Sequence, residues 1–206
     1  MATRARRAGA LRHPGVELRW YGELRALPPR VALFQARARV LAHRRGDRFS
    51  LTSVTRPGDL RTLLSLAAGA VHVVELGTAT GWTAISLAVA DPARRVTSFD
   101  PVDRPEPARY LQLVAPEVRA RIELVTAPGA DGPRDEHPVD LLYIDSSHAR
   151  QPTIDEVQAW RPALARGAVI VFDDYGHPDY PGVREAVQEL SLDGRLVGTL
   201  FVAAGW

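Results

Sequence analysis

The 206-residue chain contains neither cysteine nor lysine. Without cysteine there is no disulfide and no thiolate zinc site. Without lysine there is no Schiff-base nucleophile and no amine to act as a general base, so every one of its 26 cationic side chains is an arginine. Aromatic residues are sparse at 7%. No run approaches the roughly 20 apolar residues of a membrane span. The basic N-terminus lacks the apolar stretch that a secretory signal needs, so a cytoplasmic protein is expected. What remains is an ordinary globular composition, 46% hydrophobic, in a chain long enough for one domain with a modest appendage and a real core.

Charge is uneven. Residues 1–48 hold 12 arginines against Glu17, Glu23 and Asp47, about +9, and the remainder is about −7. A basic arm suits nucleic acid, a membrane surface or an anionic substrate. No aromatic interleaving or nucleic-acid motif accompanies these arginines. The simpler expectation is a solvated helical arm, or one packed on a second subunit of a homo-oligomer, with no nucleic-acid or membrane partner.

The pattern divides the chain into a basic arm with helices over residues 1–49 and an α/β domain over 50–206. Residues 1–15 read as disordered. Residues 16–46 read as one or two helices broken at Pro28-Pro29, with Val31, Phe34, Ala38 and Leu41 at helical spacing. Residues 50–57 read as a polar turn, and Asp59 as the cap of a helix carrying Leu60, Leu63, Leu64 and Leu66. From residue 71 onward strands and helices alternate. Strands are expected at about 71–76, 95–100, 121–126, 139–145 and 168–173, with a strand pair over 196–202. Helices are expected at about 81–90, 106–115, 151–164 and 182–191. This is the signature of an α/β, Rossmann-like, doubly wound sheet, mostly parallel and seven-stranded, with an antiparallel terminal strand.

Three apolar runs carry the chemistry. The first leads into Glu75-Leu-Gly-Thr-Ala-Thr-Gly81, the second ends at Asp145, and the third ends at Asp173-Asp174. Ligands of open α/β sheets bind outside the carboxyl ends of strands, so a glycine turn and three aspartates are expected on one rim. Gly77 and Gly81 let backbone come close to a ligand. This is not the dinucleotide fingerprint, because Ala79 stands at its second glycine. Asp100, ending the second strand, is placed to pair with ribose hydroxyls. Asp145, Asp173 and Asp174 offer only oxygen, which suits Mg²⁺, Mn²⁺ or Ca²⁺. His148, three residues after Asp145, is expected over the same rim, where an imidazole with a pKa near about 6.5 can take a proton. His177, Asp179 and Tyr180 are read either as substrate contacts or as ordinary loop residues, and Trp82 as either cofactor wall or core. Trp160 is expected in the core.

The stretch Glu75-Leu-Gly-Thr-Ala-Thr-Gly-Trp-Thr83 resembles the first motif of class I S-adenosylmethionine-dependent methyltransferases. It is most similar to the metal-dependent O-methyltransferases of the catechol and caffeoyl-CoA type, and to their relatives that modify antibiotics and sugars. The resemblance covers roughly residues 50–206. It implies a cofactor held by Glu75, Gly77, Thr78, Ala79, Gly81, Trp82, Thr83, Asp100, Ala130 and Asp145. Asp145, Asp173 and Asp174 match a divalent metal's ligands, and Asp145 and His148 match catalytic positions. Catechol-type members place a lysine where His148 stands; several antibiotic- and sugar-modifying relatives place a histidine. Residues Thr126–Asp131 depart from the commoner Gly-Asp-Ala pattern, which leaves the adenine contacts unassigned. The implied reaction is metal-assisted deprotonation of a catechol, vicinal diol or sugar hydroxyl, then direct displacement at the methyl of S-adenosylmethionine. Other readings are an NAD-linked oxidoreductase, a nucleic-acid methyltransferase using the arginine arm, and a cyclase or inactive cofactor-binding protein on the same fold.

Overall fold

In the computed structural model, residues 14–204 are described. The expected disorder of residues 1–15 falls almost wholly outside them. Four helices precede the sheet: α1 (Pro14–Glu23), α2 (Pro29–Arg45), α3 (Arg48–Ser53) and α4 (Pro57–Leu66). Pro29 opens α2, where a missing N–H costs nothing. Gly46 closes it in a left-handed conformation, its N–H capping the carbonyls of Ala42 and His43.

Two expectations fail in this region. The polar stretch over residues 50–57 is a link only at 54–56, because residues 50–53 belong to α3. Asp47 caps α3, accepting from the Ser50 backbone N–H at 3.0 Å and from Ser50 Oγ at 2.8 Å. The same carboxylate takes Arg109 at 3.0 Å and the Tyr110 hydroxyl at 2.7 Å, so long-range contacts fix a helix that local composition does not favour. Nor does Asp59 cap α4. The helix starts at Pro57, and Asp59 lies in its first turn.

The sheet then builds in alternation: β1 (His72–Leu76), α5 (Trp82–Ala90), β2 (Arg95–Asp100), α6 (Pro105–Leu111), α7 (Pro116–Arg119) and β3 (Ile122–Thr126). After these come β4 (Val139–Ile144), α8 (Arg150–Trp160), β5 (Leu164–Phe172), α9 (Pro181–Glu189), β6 (Gly194–Val197) and β7 (Leu200–Ala204). The order across the sheet is β3-β2-β1-β4-β5-β7-β6. The first five strands are parallel, and β7 is antiparallel to both β5 and β6. The expected doubly wound, seven-stranded sheet is therefore present. Strand β5 begins earlier than its apolar run, because Leu164 pairs with Val139 across an irregularity before Leu141. The helix expected over 106–115 stops at Leu111, and a separate turn of helix starts at Pro116.

Strand residues alternate between two cores. Val73, Val96, Leu141, Tyr143 and Val171 pack against α2, α4 and α5, so Val31, Phe34 and Ala38 of the N-terminal helices share a core with the sheet. Val74, Leu76, Phe99, Leu142, Ile144 and Phe172 pack on the other face with Val157 and Trp160 of α8 and Val183 and Val187 of α9. Among the described residues no helix is long and apolar enough to cross a membrane.

Candidate functional site

The parallel ladder continues one residue past the strand ends. Gly77 N–H donates to Phe99 O at 2.8 Å, Asp145 N–H to Leu76 O at 2.8 Å, and Asp173 N–H to Ile144 O at 2.9 Å. Gly77, Asp145 and Asp173 thus stand side by side on the carboxyl rim. The chain changes direction between β1 and β4 there, which is where open sheets form their crevice. Three of the four non-glycine residues with positive φ among those described lie on this rim: Ala79 (45°), His148 (59°) and Asp174 (53°). Left-handed backbone in such residues persists only where surrounding structure enforces it, and it gathers at functional sites.

The glycine turn is built by packing inside the protein. At Gly77 φ is 107°, and a Cβ there would lie 2.1 Å from the carbonyl oxygen of Asp145. Gly81, with φ at 77°, has Pro107 Cβ only 3.0 Å from where its own Cβ would be. Both glycines are demanded by their neighbours, whatever a ligand adds. Asp100 ties the turn down: Oδ2 accepts from Ala79 N–H at 2.9 Å, and Oδ1 from Val102 N–H at 2.9 Å. Each oxygen keeps a lone pair for a ligand hydroxyl.

Glu75 lies beneath the turn, 1% exposed. Ser98 Oγ donates to its Oε2, and the hydroxyls of Thr78 and Ser98 meet at 2.6 Å. Burial, reinforced by Asp145 and Asp100 and opposed by Ser98, pushes its pKa up to about 8 from 4.5. Between those values the native chain holds a proton that the unfolded chain has released, so stability falls as pH rises through this window. Burial also raises Asp145 and Asp173, and their contributions have the same sign. Glu75→Gln removes one such group. Its melting temperature is expected to drop less than that of the wild type between about pH 5 and about pH 8. Equal drops would show that Glu75 does not carry the titration.

Across the rim stand the carboxylates. Burial and repulsion by Asp145 and Asp174 hold the Asp173 carboxyl well above the usual range. His148 Nε2 lies 3.1 Å from Asp145 Oδ1 and 3.9 Å from Asp174 Oδ2. Burial works against the imidazolium, but the bond to Asp145 and the nearby acids outweigh it and raise the pKa. Tyr180 stacks on His148 with ring centroids 4.6 Å apart, and His177 packs against Tyr180, tilted, at 4.7 Å. Tyr143, fully buried, directs its hydroxyl to Asp145 Oδ2 at 3.5 Å. Among the described residues no three His, Asp or Glu side chains are grouped, as they stand, to hold a metal ion.

One cleft of ≈ 1790 Å³ joins the two sides. Gly77, Ala79, Asp100 and Ala130 line it, as do Asp145, His148, Asp173 and Asp174. Its outer wall comes from the segment leading into α4, including Thr55 and Arg56. Thr83 is buried behind this wall, its hydroxyl 2.8 Å from that of Thr55. Thr78 and Gly81 shape the turn from below. Trp82 turns into the core, 1% exposed and edge-on to Tyr110, and Trp160 is likewise in the core. His177, Asp179 and Tyr180 all line the cleft. Sequence reasoning passed over Tyr143, Ser146 and Glu156. Tyr143 had a legible signal, since two residues before Asp145 on a strand is the same face. Glu156 also had one, as an acid within the buried stripe Thr153, Ile154, Val157 and Trp160.

Residues 74–175, from the middle of β1 to just past the aspartate pair, match the family described as a methyltransferase domain. Among solved structures, the O-methyltransferase TomG of Streptomyces achromogenes, involved in tomaymycin synthesis and solved with SAM, is 26% identical. That match covers 84% of this chain and 88% of TomG, with a TM-score of 0.60. The O-methyltransferase from Bacillus cereus, solved with SAH, is 17% identical over 82% of this chain and 89% of its own, with a TM-score of 0.63. CalS11, a TDP-rhamnose 3′-O-methyltransferase of calicheamicin biosynthesis, is 20% identical over 71% and 78%, with a TM-score of 0.57. At those identities the last two show the fold alone. None of the curated proteins compared matches the chain.

Proposed function

We propose that this chain is a class I S-adenosylmethionine-dependent methyltransferase, as its match to the methyltransferase-domain family and its likeness to TomG support, and that it methylates a hydroxyl of a small molecule with the help of a divalent cation. The carrying observation is the single cleft that holds the glycine turn and Asp100 on one side and the carboxylates with His148 on the other. At ≈ 1790 Å³ it exceeds the roughly 300–1,000 Å³ of a one-ligand pocket, leaving room for cofactor and acceptor together.

The glycine turn receives the methionine end of the cofactor, and Asp100 the ribose. The acceptor enters beside Tyr180 and His177. His148 takes the hydroxyl proton on Nδ1, the ring nitrogen that Asp145 does not hold, once its own proton there is lost, while Asp145 holds Nε2, orients the ring and stabilises the imidazolium. The acceptor oxygen attacks the methyl carbon as the carbon–sulfur bond breaks. The products are a methyl ether and S-adenosylhomocysteine, with the proton on His148. Holding both reactants in line supplies most of the catalysis, because the sulfonium methyl is already electrophilic.

Asp145, Asp173 and Asp174 fit a hard cation by donor type and charge, being three crowded carboxylates facing one histidine. Holding one requires their side chains to converge further than they do here. Such a cation, when bound, lowers the pKa of a coordinated hydroxyl and fixes its orientation.

Calorimetric titration with S-adenosylmethionine, with NADH in parallel, is expected to show binding of the first alone. Transfer to catechol and diol acceptors is expected to vanish after chelation and to return with Mg²⁺ or Mn²⁺. Full transfer after rigorous chelation removes the cation from the proposal, and failure to bind S-adenosylmethionine removes the proposal itself.

A further inference from the structure

On the carboxylate side, the cleft is walled by the first turn of α4 and by the turn between β6 and β7. Arg56 and Asp59 of the first, and Gly198 and Thr199 of the second, line it beside Asp173 and His177. Strands β7 and β6 lie beyond β5, on the opposite side of β1 from β2, so this wall faces away from Asp100 and the ribose. Asp59 reaches into it. A Cβ on Gly198 would lie 3.3 Å from Asp59 Oδ1, and the Asp59 charge repels that of Asp173. The chemistry described above uses neither Arg56 nor Asp59.

Both side chains stand without partners. Asp59 is half-buried, yet its carboxylate takes no hydrogen bond and no ion pair from any described residue. Arg56 is exposed on the lip and is unpaired among the described residues as well. Opposite charges three residues apart on one helical turn ordinarily attract each other; these two do not close on one another. The other arginine lining the cleft, Arg104, is already engaged, its guanidinium 4.7 Å from the centroid of the Phe49 ring. The acceptor mouth therefore offers one cation and one anion side by side, next to the ring faces of Tyr180 and His177. Few ligands carry the complement on one carbon. An α-amino-acid head does: a guanidinium takes its carboxylate by paired N–H bonds, and a carboxylate accepts from its ammonium.

We propose that the acceptor is a catechol bearing an α-amino-acid head, with Arg56 taking its carboxylate and Asp59 its ammonium while the hydroxyls face Asp173 and His148. This rests on the methyltransferase reading above. The methionine half of the cofactor carries the same kind of head, but that reading seats it at the glycine turn after β1. Asp59 faces Asp173 and the β6–β7 turn instead, which gives the pair to the acceptor.

The test compares methyl transfer to dihydroxyphenylalanine, to dopamine, which lacks the carboxylate, and to dihydroxyphenylpropionate, which lacks the ammonium, each with S-adenosylmethionine and Mg²⁺. The wild type is expected to favour the amino acid over either by at least about tenfold in kcat/KM, the size of one charged hydrogen bond. Arg56→Gln is expected to abolish the preference over dopamine alone, and Asp59→Asn the preference over the propionate alone. Neither side chain is bonded to another described residue, so both variants are expected to fold. Equal rates with all three acceptors, or transfer to none by protein that binds S-adenosylmethionine, overturn the proposal and leave the cofactor reading standing. So do variants that keep both wild-type preferences. A loss of tenfold or more in S-adenosylhomocysteine affinity in either variant, read by calorimetry, assigns the pair to the cofactor's own head and overturns the proposal as well. Wild-type protein that binds no S-adenosylmethionine overturns both readings together.

Discussion

His148→Ala is expected to lower turnover at least ~100-fold, the usual size of a general-base contribution, while leaving cofactor binding unchanged. His148 stands on the carboxylate side of the cleft, away from Asp100 and the glycine turn, so its loss removes no cofactor contact proposed here. What it removes is the imidazole that Asp145 holds at 3.1 Å and Tyr180 packs from one face. No lysine exists anywhere in the chain to stand in. The pH dependence gives a second readout. The acids around His148 raise its pKa above the ordinary value of 6.5, so the wild-type rate should climb with pH along a limb lying above that value. In His148→Ala the limb should disappear. Unchanged turnover, or an unaltered limb in the variant, would take His148 out of the reaction.

Gly77→Ala is expected to destabilise the protein by roughly 2–6 kcal/mol, from about 1–3 kcal/mol of overpacking and about 1–3 kcal/mol of backbone strain. The added methyl meets the Asp145 carbonyl at 2.1 Å, and φ of 107° is unfavourable for any side chain. At about 2–4 °C per kcal/mol for a domain of this size, the melting temperature should fall by roughly 10 °C. Relief of the clash would have to separate the ends of β1 and β4, the two strands that flank the crevice, so cofactor affinity should fall as well. Gly58→Ala is the control: nothing lies within 4 Å of its Cβ, and it sits in the first turn of α4. It should change stability by no more than about 0.5 kcal/mol. If Gly77→Ala melts with the wild type, the two strand ends are not as tightly locked as this geometry requires.

The sheet was legible because buried parallel strands announce themselves as β-branched runs. Strand β2 falls where the pattern puts it, and β1, β3 and β4 fall within one residue of it. Helix α3 was not legible, because its decisive contacts come from Arg109 and Tyr110, some sixty residues downstream. The first half of β5 carries Arg166 and Gly167 and has no apolar run to reveal it; only its pairing with β4 makes it a strand. In the site, strand ends showed which residues share a rim. They did not show distances. The role of Gly77 against the Asp145 carbonyl depends on strand spacing, and the Glu156–Ser146 bond depends on how α8 packs beneath two loops. Tyr180 became interpretable only once the β5–α9 loop was seen to fold back over His148.

The three left-handed residues on the rim, Ala79, His148 and Asp174, set heat resistance against activity. Glycine would relieve local strain at each of them, and each is a position the cleft uses. A laboratory search for hardier variants of this protein, scored by melting temperature alone, would be drawn to these sites and would reward loss of the chemistry. Any such search has to score methyl transfer together with thermal tolerance, or leave these three positions untouched.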